Sequence, residues 1–447
     1  MRRSIKNSWS GWKNLLIISR KNSYINSIFY SILSSFLLLI IILKINLIIT
    51  ISLFIVVCFI NFINYRFWIL LFLFFSILFL ALVIYNLFFL QHQNTIVNGN
   101  YELIKNTSKT LIFKHKNIYF QIYNKKEQFE INQNIEFKNI FYIKGILQKI
   151  KNTNLFNYRN QIFFKLNLIE IKFVGSYVNN DFIFHKNNIV KEYLNIIVLN
   201  KYTNSSNIYK KLFDLNIIHF FTISGFHFNL IYFFSSFVLK KIKIKQPYNE
   251  LISILFLIIY LLIIGFKISA IRATLFIILI FLNKNFLNNK FNKISLLSIS
   301  AFIMVIYNPY LFLSYSFILS YVITLIILIT INLFKNFNFY IKSIFIILIA
   351  HFSSTLIIHT FQEKYNFFSI FIQILISPFI SINFILSIFL FKTNKLIEKI
   401  IIYFDNFLSL LNKSSFYINF KVLDEICIFL HFGFIFLYKI KNLQLKS

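Results

Sequence analysis

Residues 67–90 read FWILLFLFFSILFLALVIYNLFFL, a run of 24 positions with no charge. At 1.5 Å of rise per residue, a helix of that length covers about 36 Å, enough to cross roughly 30 Å of hydrocarbon. Just before it, residues 25–43 and 45–62 form two further apolar runs, set apart by Lys44 and by Asn64-Tyr65-Arg66. Comparable runs recur along most of the 447 residues, of which 58% are hydrophobic and 13% charged, with a mean hydropathy of +0.71. One soluble core has no use for that much apolar surface, so the bilayer is the main solvent of this chain.

The formal charge of +32 points toward a polyanionic partner, but only 6 of the 46 basic residues are arginine. Lys, Asn, Ile, Phe and Tyr abound beside 7 Gly, 3 Pro and 2 Met. That is the bias AT-rich codons impose, so part of the charge is compositional. Cys58 and Cys427 both lie in apolar runs, which leaves no disulfide framework and no paired Cys/His metal site to assemble. The start is basic from Arg2 to Lys21, and no small-residue cleavage site follows the first apolar run, which therefore reads as a retained span.

After residues 1–90, with their three spans, the composition changes. Residues 91–190 are polar, with period-2 alternation at Ile118/Phe120/Ile122 and at Ile169/Ile171/Phe173, and Lys114-His115-Lys116-Asn117 reads as a hairpin. This predicts a small β-barrel or sandwich outside the bilayer, inserted after the third span. Residues 191–215 read as a linker followed by an amphipathic interfacial helix: Ile208, Leu212 and Leu215 share one face, Lys210-Lys211 the other, and Ser206 is placed as N-cap. From 216 to 447 the runs 216–239, 251–264, 268–282, 294–307, 310–334, 341–361, 367–391, 396–411 and 422–438 predict nine more spans, about twelve transmembrane helices in all.

Cytoplasmic loops carry the excess of Lys and Arg. With the N-terminus inside, the inside loops of the second half hold 15 lysines, from Lys240 to Lys446, and the outside ones hold 4: Lys267, Lys364, Lys413 and Lys421. The alternation predicts cytoplasmic N- and C-termini and puts residues 91–190 outside.

Among so few glycines, Gly225 falls inside an apolar span, in His219-Phe220-Phe221-Thr222-Ile223-Ser224-Gly225-Phe226-His227. Polar groups at membrane depth are costly unless they face protein or water, and glycine permits close approach or a helix break. Ser224 and His227, three apart, are expected on one helix face, lining a polar path or hydrogen-bonding between helices. A serine nucleophile would need a carboxylate to orient the histidine, and only the distant Asp214 is at hand.

This segment resembles the signature of the ComEC competence family, approximately H-L-L-A-I-S-G-L-H, with His219, Ile223, Ser224, Gly225 and His227 in the matching places. Gly265 and Arg272-Ala273 look like the family's later glycine and Arg-Ala, Asn308-Pro309 through Phe317 and Ser320 like its Pro…Gly-Phe-Gln-Leu-Ser stretch, and Ser377-Pro378 like its late Val-Pro. Upstream, Asn152 to Arg159 is similar to the Asn-Pro-Gly-Gly-Phe-Asp-Tyr run that closes the family's external domain, so the resemblance covers about residues 91–390. Leu215-Asn216 stands where the family usually has Thr-Gly, Ser316 and Ile318 replace a Gly and a Gln, and Thr153 replaces a Pro.

The resemblance implies that residues 216–447 form a competence-type channel in the cytoplasmic membrane, passing one strand of DNA during natural transformation. It implies no catalytic residue, no cofactor and no metal. The partners it implies are single-stranded DNA, a cytoplasmic helicase, a separate nuclease and a surface DNA receptor, with a homo-oligomer as a further expectation. Many members carry a metallo-β-lactamase-like domain with a His-x-His-x-Asp-His cluster. None occurs in these 447 residues, so any nuclease step is expected of another protein. A polyanion needs a wet path with positive potential, and Arg272 is the best cation for it, unless it snorkels to the outer headgroups.

The resemblance also implies an OB-like external domain. Residues 91–190 hold 14 Lys/Arg against 6 Asp/Glu, with Tyr119, Phe120 and Tyr123 near Lys125 and Lys126 as a weak DNA-binding set. Three other readings stay open: an enzyme acting on lipid-linked polysaccharide, a small-molecule transporter, for which no internal repeat is evident, and a decayed homologue without activity.

Overall fold

The structure is a computed structural model. It describes residues 28–43, 47–62, 64–92, 94–106, 110–115, 118–123, 137–150, 157, 162–178, 187–201, 207–221, 223–360, 362–389, 395–413, 415–424, 426–428 and 430–435. The chain divides into two compact units, residues 1–89 with 275–312, and residues 90–274 with 313–447.

The first unit packs α1 (Ile28–Ile42), α2 (Leu47–Ile60) and α3 (Tyr65–Gln91) with the later part of α9 (Ile268–Asn285) and with α10 (Lys293–Tyr307). Aromatic rings hold it: Phe74 meets Phe302 edge-on at 4.8 Å and Phe36 stacks on Phe312 at 6.1 Å. The amide oxygen of Asn86, one of the few polar groups of α3, accepts the Tyr310 hydroxyl at 2.9 Å, so its polarity is satisfied inside protein.

The second unit begins with a closed five-stranded barrel of β1 (Ile96–Asn106), β2 (Thr110–His115), β3 (Ile118–Tyr123), β4 (Phe137–Lys149) and β5 (Ile162–Val178), in the order β1-β2-β3-β5-β4. The β3–β5 contact is parallel and the others antiparallel. The expected hairpin is there, β2 and β3 pairing outward from His115 opposite Ile118. Phe113, Phe120, Phe141 and Phe164 are fully buried and fill the barrel. At Gly145 a Cβ would collide with the backbone oxygen of Asn167, so glycine lets β4 lie close on β5.

The alternation Ile169/Ile171/Phe173 lies on a strand as expected, within β5, where Ile169 is 65% exposed and Phe173 43%. Lys144 pairs with Glu170 and Gly145 with Leu168, leaving Ile169 as the extra residue of a bulge. The bulge exchanges the faces of β5, from Phe164 and Leu166 inward to Ile171 and Phe173 opposite Ile143 and Phe141.

Downstream come α4 (Asn188–Leu194), continued by one π-turn (Asn195–Leu199), then α5 (Asn207–Asp214), α6 (Ile218–Phe221), α7 (Gly225–Lys241) and α8 (Tyr248–Ile264). After α9 and α10 follow α11 (Tyr315–Leu333), α12 (Phe339–Ile358), β6 (Lys364–Asn366), α13 (Ser369–Phe389), α14 (Lys395–Lys413), β7 (Tyr417–Asn419) and α15 (Ile426–Ile435). Residues 195–199 are all buried, and the Tyr260 hydroxyl donates to the Val198 carbonyl at 2.8 Å. In α5, Ile208 and Leu212 are buried as their spacing predicts, while Ser206 lies outside the described residues.

Among the described residues, five helices are long and apolar enough to cross a membrane: α3, α9, α11, α12 and α13. Helices α1, α2, α8, α10 and α15 are apolar but shorter. The run 216–239 is not one helix, because the chain breaks between α6 and α7, where Ser224 caps α7. Pairing of β6 with β7, Lys364 opposite Asn419, brings the start of α13 beside the end of α14. The two helices thus form a closed hairpin.

Candidate functional site around a buried arginine

Ser224 has extended backbone and serves as the N-cap of α7. Its hydroxyl accepts from the Phe226 amide at 3.3 Å, and its amide donates to His227 Nδ1 at 3.2 Å, closing a capping box. This corrects the shared-face reading: Ser224 stands outside the helix, and the pair is a local cap. His227 is fully buried, with its ring 4.5 Å from that of Phe384 on α13. Because Nδ1 accepts the amide proton, a neutral ring carries its proton on Nε2, and Nε2 has no partner among the described residues.

The cap segment is tied to the first turn of α9, since the Ser269 hydroxyl donates to the Ile223 carbonyl at 2.9 Å. One turn on, Arg272 is 6% exposed. Its Nη1 donates to Thr324 Oγ1 on α11 at 2.8 Å, and Thr324 is held by donating to the Ser320 carbonyl at 2.7 Å. A Cβ at Gly225 would strike Arg272 Nη2, so the missing side chain of Gly225 is the socket for the guanidinium. Arg272 is held inside protein and does not reach for headgroups. Among the described residues, its Nε has no hydrogen-bond partner and no carboxylate pairs with it.

The other motif residues take backbone or packing places. Gly265 ends α8 in the left-handed region at φ 80°, where a side chain is strained. Asn216, which stands in place of a glycine, has φ 57°, a value asparagine tolerates better than most residues. The departure therefore preserves the backbone. Phe317 is buried with its ring 4.3 Å from Tyr321. Pro378 lies within α13 and cannot donate to the Ile374 carbonyl; the Ser377 hydroxyl donates there at 3.4 Å. His219 lies on α6.

Sequence reasoning passed over a second polar cluster. Asp405 of α14 accepts from Lys211 Nζ at 2.6 Å and from the Tyr193 hydroxyl at 2.8 Å, and Lys211 also donates to Ser409 at 2.7 Å. The bonded pair Tyr193 and Asp405 lies 212 positions apart, and no motif marks the cluster. The helical spacing puts Lys211 on the polar face of an amphipathic helix, but its ammonium is turned into the protein, while Lys210 stays exposed.

On the barrel, Tyr119 carries the Lys114 ammonium 5.9 Å over its ring, and Tyr123 ends β3. Lys125, Lys126 and most of Asn152–Arg159 lie outside the described residues. The register also places Asn98 opposite Lys144, Asn100 opposite Tyr142, and Tyr142 opposite Lys172 on one outer face. There Glu170 lies below the usual carboxylate range because Lys172 hydrogen-bonds it at 2.5 Å.

The family described as Competence protein matches residues 200–438, which hold the motif residues from His219 to Pro378. Short stretches also match two curated proteins. The "uncharacterized protein MG316 homolog" of Mycoplasma pneumoniae is 31% identical over 90 residues, 20% of this chain and 23% of that protein. The "uncharacterized protein MG316" of Mycoplasma genitalium is 34% identical over 85 residues, 19% of this chain and 22% of that protein. The match thus spans under a quarter of either relative, and no solved structure matches this chain. With more than half of its residues matched by the family, and with its Ser-Gly-x-His segment and its Arg-Ala pair meeting in one site, this chain is a membrane protein of the Competence protein family.

Proposed function

We propose that this protein is a channel that carries a single strand of DNA across the cytoplasmic membrane during natural transformation. The observation that carries this reading is the guanidinium of Arg272, buried among α7, α9 and α11 without a carboxylate. An uncompensated buried charge is unfavourable in a purely structural role, whereas a path for phosphates needs one. The capping geometry of Ser224 and His227 supports a channel over a serine hydrolase, because the hydroxyl is engaged in ending a helix. In this reading His219, Ser224, Gly225, His227, Gly265, Arg272, Phe317, Ser320 and Pro378 build the channel domain, with about twelve spans and both termini cytoplasmic.

The barrel, in this reading, is an OB-like domain on the outer side that receives the strand. Its closed five-stranded order with a parallel β3–β5 contact supports that assignment. A helicase, a nuclease and a surface receptor would be separate partners. The test is uptake of labelled DNA in cells carrying Gly225→Leu. DNA should stay bound at the surface and fail to reach the cytoplasm at normal protein levels, whereas unchanged cytoplasmic uptake defeats the channel. Cysteine labelling tests the sidedness: Asn100→Cys should react with an impermeant reagent in intact cells and Lys243→Cys should not, and the reverse pattern inverts the topology.

A further inference from the structure

We propose that Arg272, Gly225 and the joined first turns of α7 and α9 form a binding site for a single phosphate group, whose natural ligand is a phosphodiester of the transported strand. The choice of ligand rests on the channel reading; the site itself rests on the following geometry.

Two helix N-termini meet here, because Ser269 in the first turn of α9 is hydrogen-bonded to Ile223, next to the N-cap of α7. Each N-terminus carries roughly half a positive charge and favours an anion. A full positive charge is added to these partial ones: the Arg272 guanidinium lies against Gly225, the first residue of α7. Like charges collected in a buried place repel each other unless an anion joins them. No carboxylate of the described residues supplies that anion, whereas Lys211 and Lys364 each have an aspartate, Asp405 and Asp214. The groups facing the guanidinium are the Thr324 hydroxyl and the Tyr321 phenol, neither of them an anion at neutral pH.

The donor side is equally incomplete. A guanidinium has five N–H donors in a planar fork. Thr324 takes one through Nη1, and Nε has no partner among the described residues. A tetrahedral oxyanion can accept two donors of that fork together, which a halide cannot do. Thr324 holds the fork in place, since its own proton is committed to Ser320. The free edge of the arginine is therefore preset. The missing Cβ of Gly225 completes the arrangement, because any side chain there would displace the group.

The experiment uses the full chain in maltoside micelles, which contain no phosphate. Binding of inorganic phosphate and of dithymidine monophosphate, a single phosphodiester, is measured by equilibrium dialysis, with chloride and phosphatidylglycerol as competitors. One site is expected, taken by phosphate and by the dinucleotide in competition and insensitive to chloride. Arg272→Gln should weaken it by about ten- to a hundredfold, the effect of losing hydrogen bonds to a charged group. Arg272→Lys should weaken it less but measurably, because an ammonium lacks the fork. Thr324→Val, a substitution that keeps the charge, should weaken it several-fold, and it keeps the test alive if Arg272→Gln does not fold.

Absence of phosphate binding, or affinity unchanged in folded Arg272→Gln, overturns the site. Competition by phosphatidylglycerol but not by the dinucleotide overturns the ligand, making this a lipid site. Loss of DNA uptake in Arg272→Gln cells with phosphate affinity intact overturns the site and leaves the channel standing. Phosphate bound through Arg272 with uptake intact supports the site and overturns the channel.

Discussion

Two cations of the second unit, Lys211 part-buried and Arg272 buried, receive opposite treatment. Lys211, with 17% of its side chain exposed, meets Asp405 at 2.6 Å, and Tyr193 and Ser409 take up the remaining capacity. Arg272, 6% exposed, has one threonine hydroxyl and the space above a glycine. In the first arrangement the ammonium is neutralised by a carboxylate, and the chain gains a tie among α4, α5 and α14. The second is open on its charged side. Closed charge clusters hold a fold together, while open ones have been left for something outside the chain.

The largest contrast between the two should come from removing each charge. Arg272→Met takes away an uncompensated buried cation, so stability should stay equal to the parent or rise by about 1 kcal/mol while cytoplasmic DNA uptake falls to background. Thermal unfolding in detergent, run beside an uptake assay, reads both. A strongly destabilised Arg272→Met would mean that the arginine has a structural partner and the comparison is false.

Asp405→Ala should behave in the opposite way. It strands the Lys211 ammonium and the Tyr193 hydroxyl, and should lower stability by about 3 kcal/mol, seen as reduced protein level and an earlier unfolding midpoint. Adding Lys211→Met should recover most of that loss, because two apolar groups of similar shape replace a satisfied pair at little net change. Without that recovery, Asp405 would be doing more than pairing Lys211.

Ser224→Ala sharpens the comparison at its smaller scale. It removes the cap of α7 and should lower stability by about 1 kcal/mol, with much of the DNA uptake retained. A nucleophilic serine predicts near-complete loss at normal protein level, an outcome that would turn the reading toward an enzyme.

The smallest effect is expected on the barrel. Lys172 is already answered by Glu170, whereas Lys144 stands opposite Asn98 and Glu170 on the same outer face. Lys144→Ala should weaken single-strand binding slightly and lower the salt dependence by about one phosphate contact, while Glu170→Gln should strengthen binding by freeing Lys172. Titration with fluorescent oligonucleotide at several salt concentrations measures both. Binding that ignores salt would exclude the face as a DNA platform.

The legibility of the sequence varied with how local each feature is. Long apolar runs reveal a membrane chain because crossing hydrocarbon is a property of one continuous segment, as in α3. The alternation in β3 revealed Phe120 and Ile122 as core for the same reason. The alternation at Ile169, Ile171 and Phe173 revealed a strand as well, but not its bulge, which is decided by how β4 pairs with β5 and leaves no trace in the period. The sequence reading failed over 216–239, where hydropathy is nearly blind to the cap at Ser224 that starts a new helix.

What the sequence determined by itself is the solvent of this protein, its β-rich insert and the identity of its unusual residues: Gly225, Asn216, Gly265 and Arg272 stand out in a chain of lysine, isoleucine and phenylalanine. Only the tertiary structure decided what they do. Gly225 and Arg272 are 47 positions apart, and neither spacing nor charge says that one is the socket of the other. Lys211 and Arg272 look alike as basic residues, yet one is paired and the other is not. Whether a charge is closed depends on what other helices bring to it, and that is settled by packing in three dimensions.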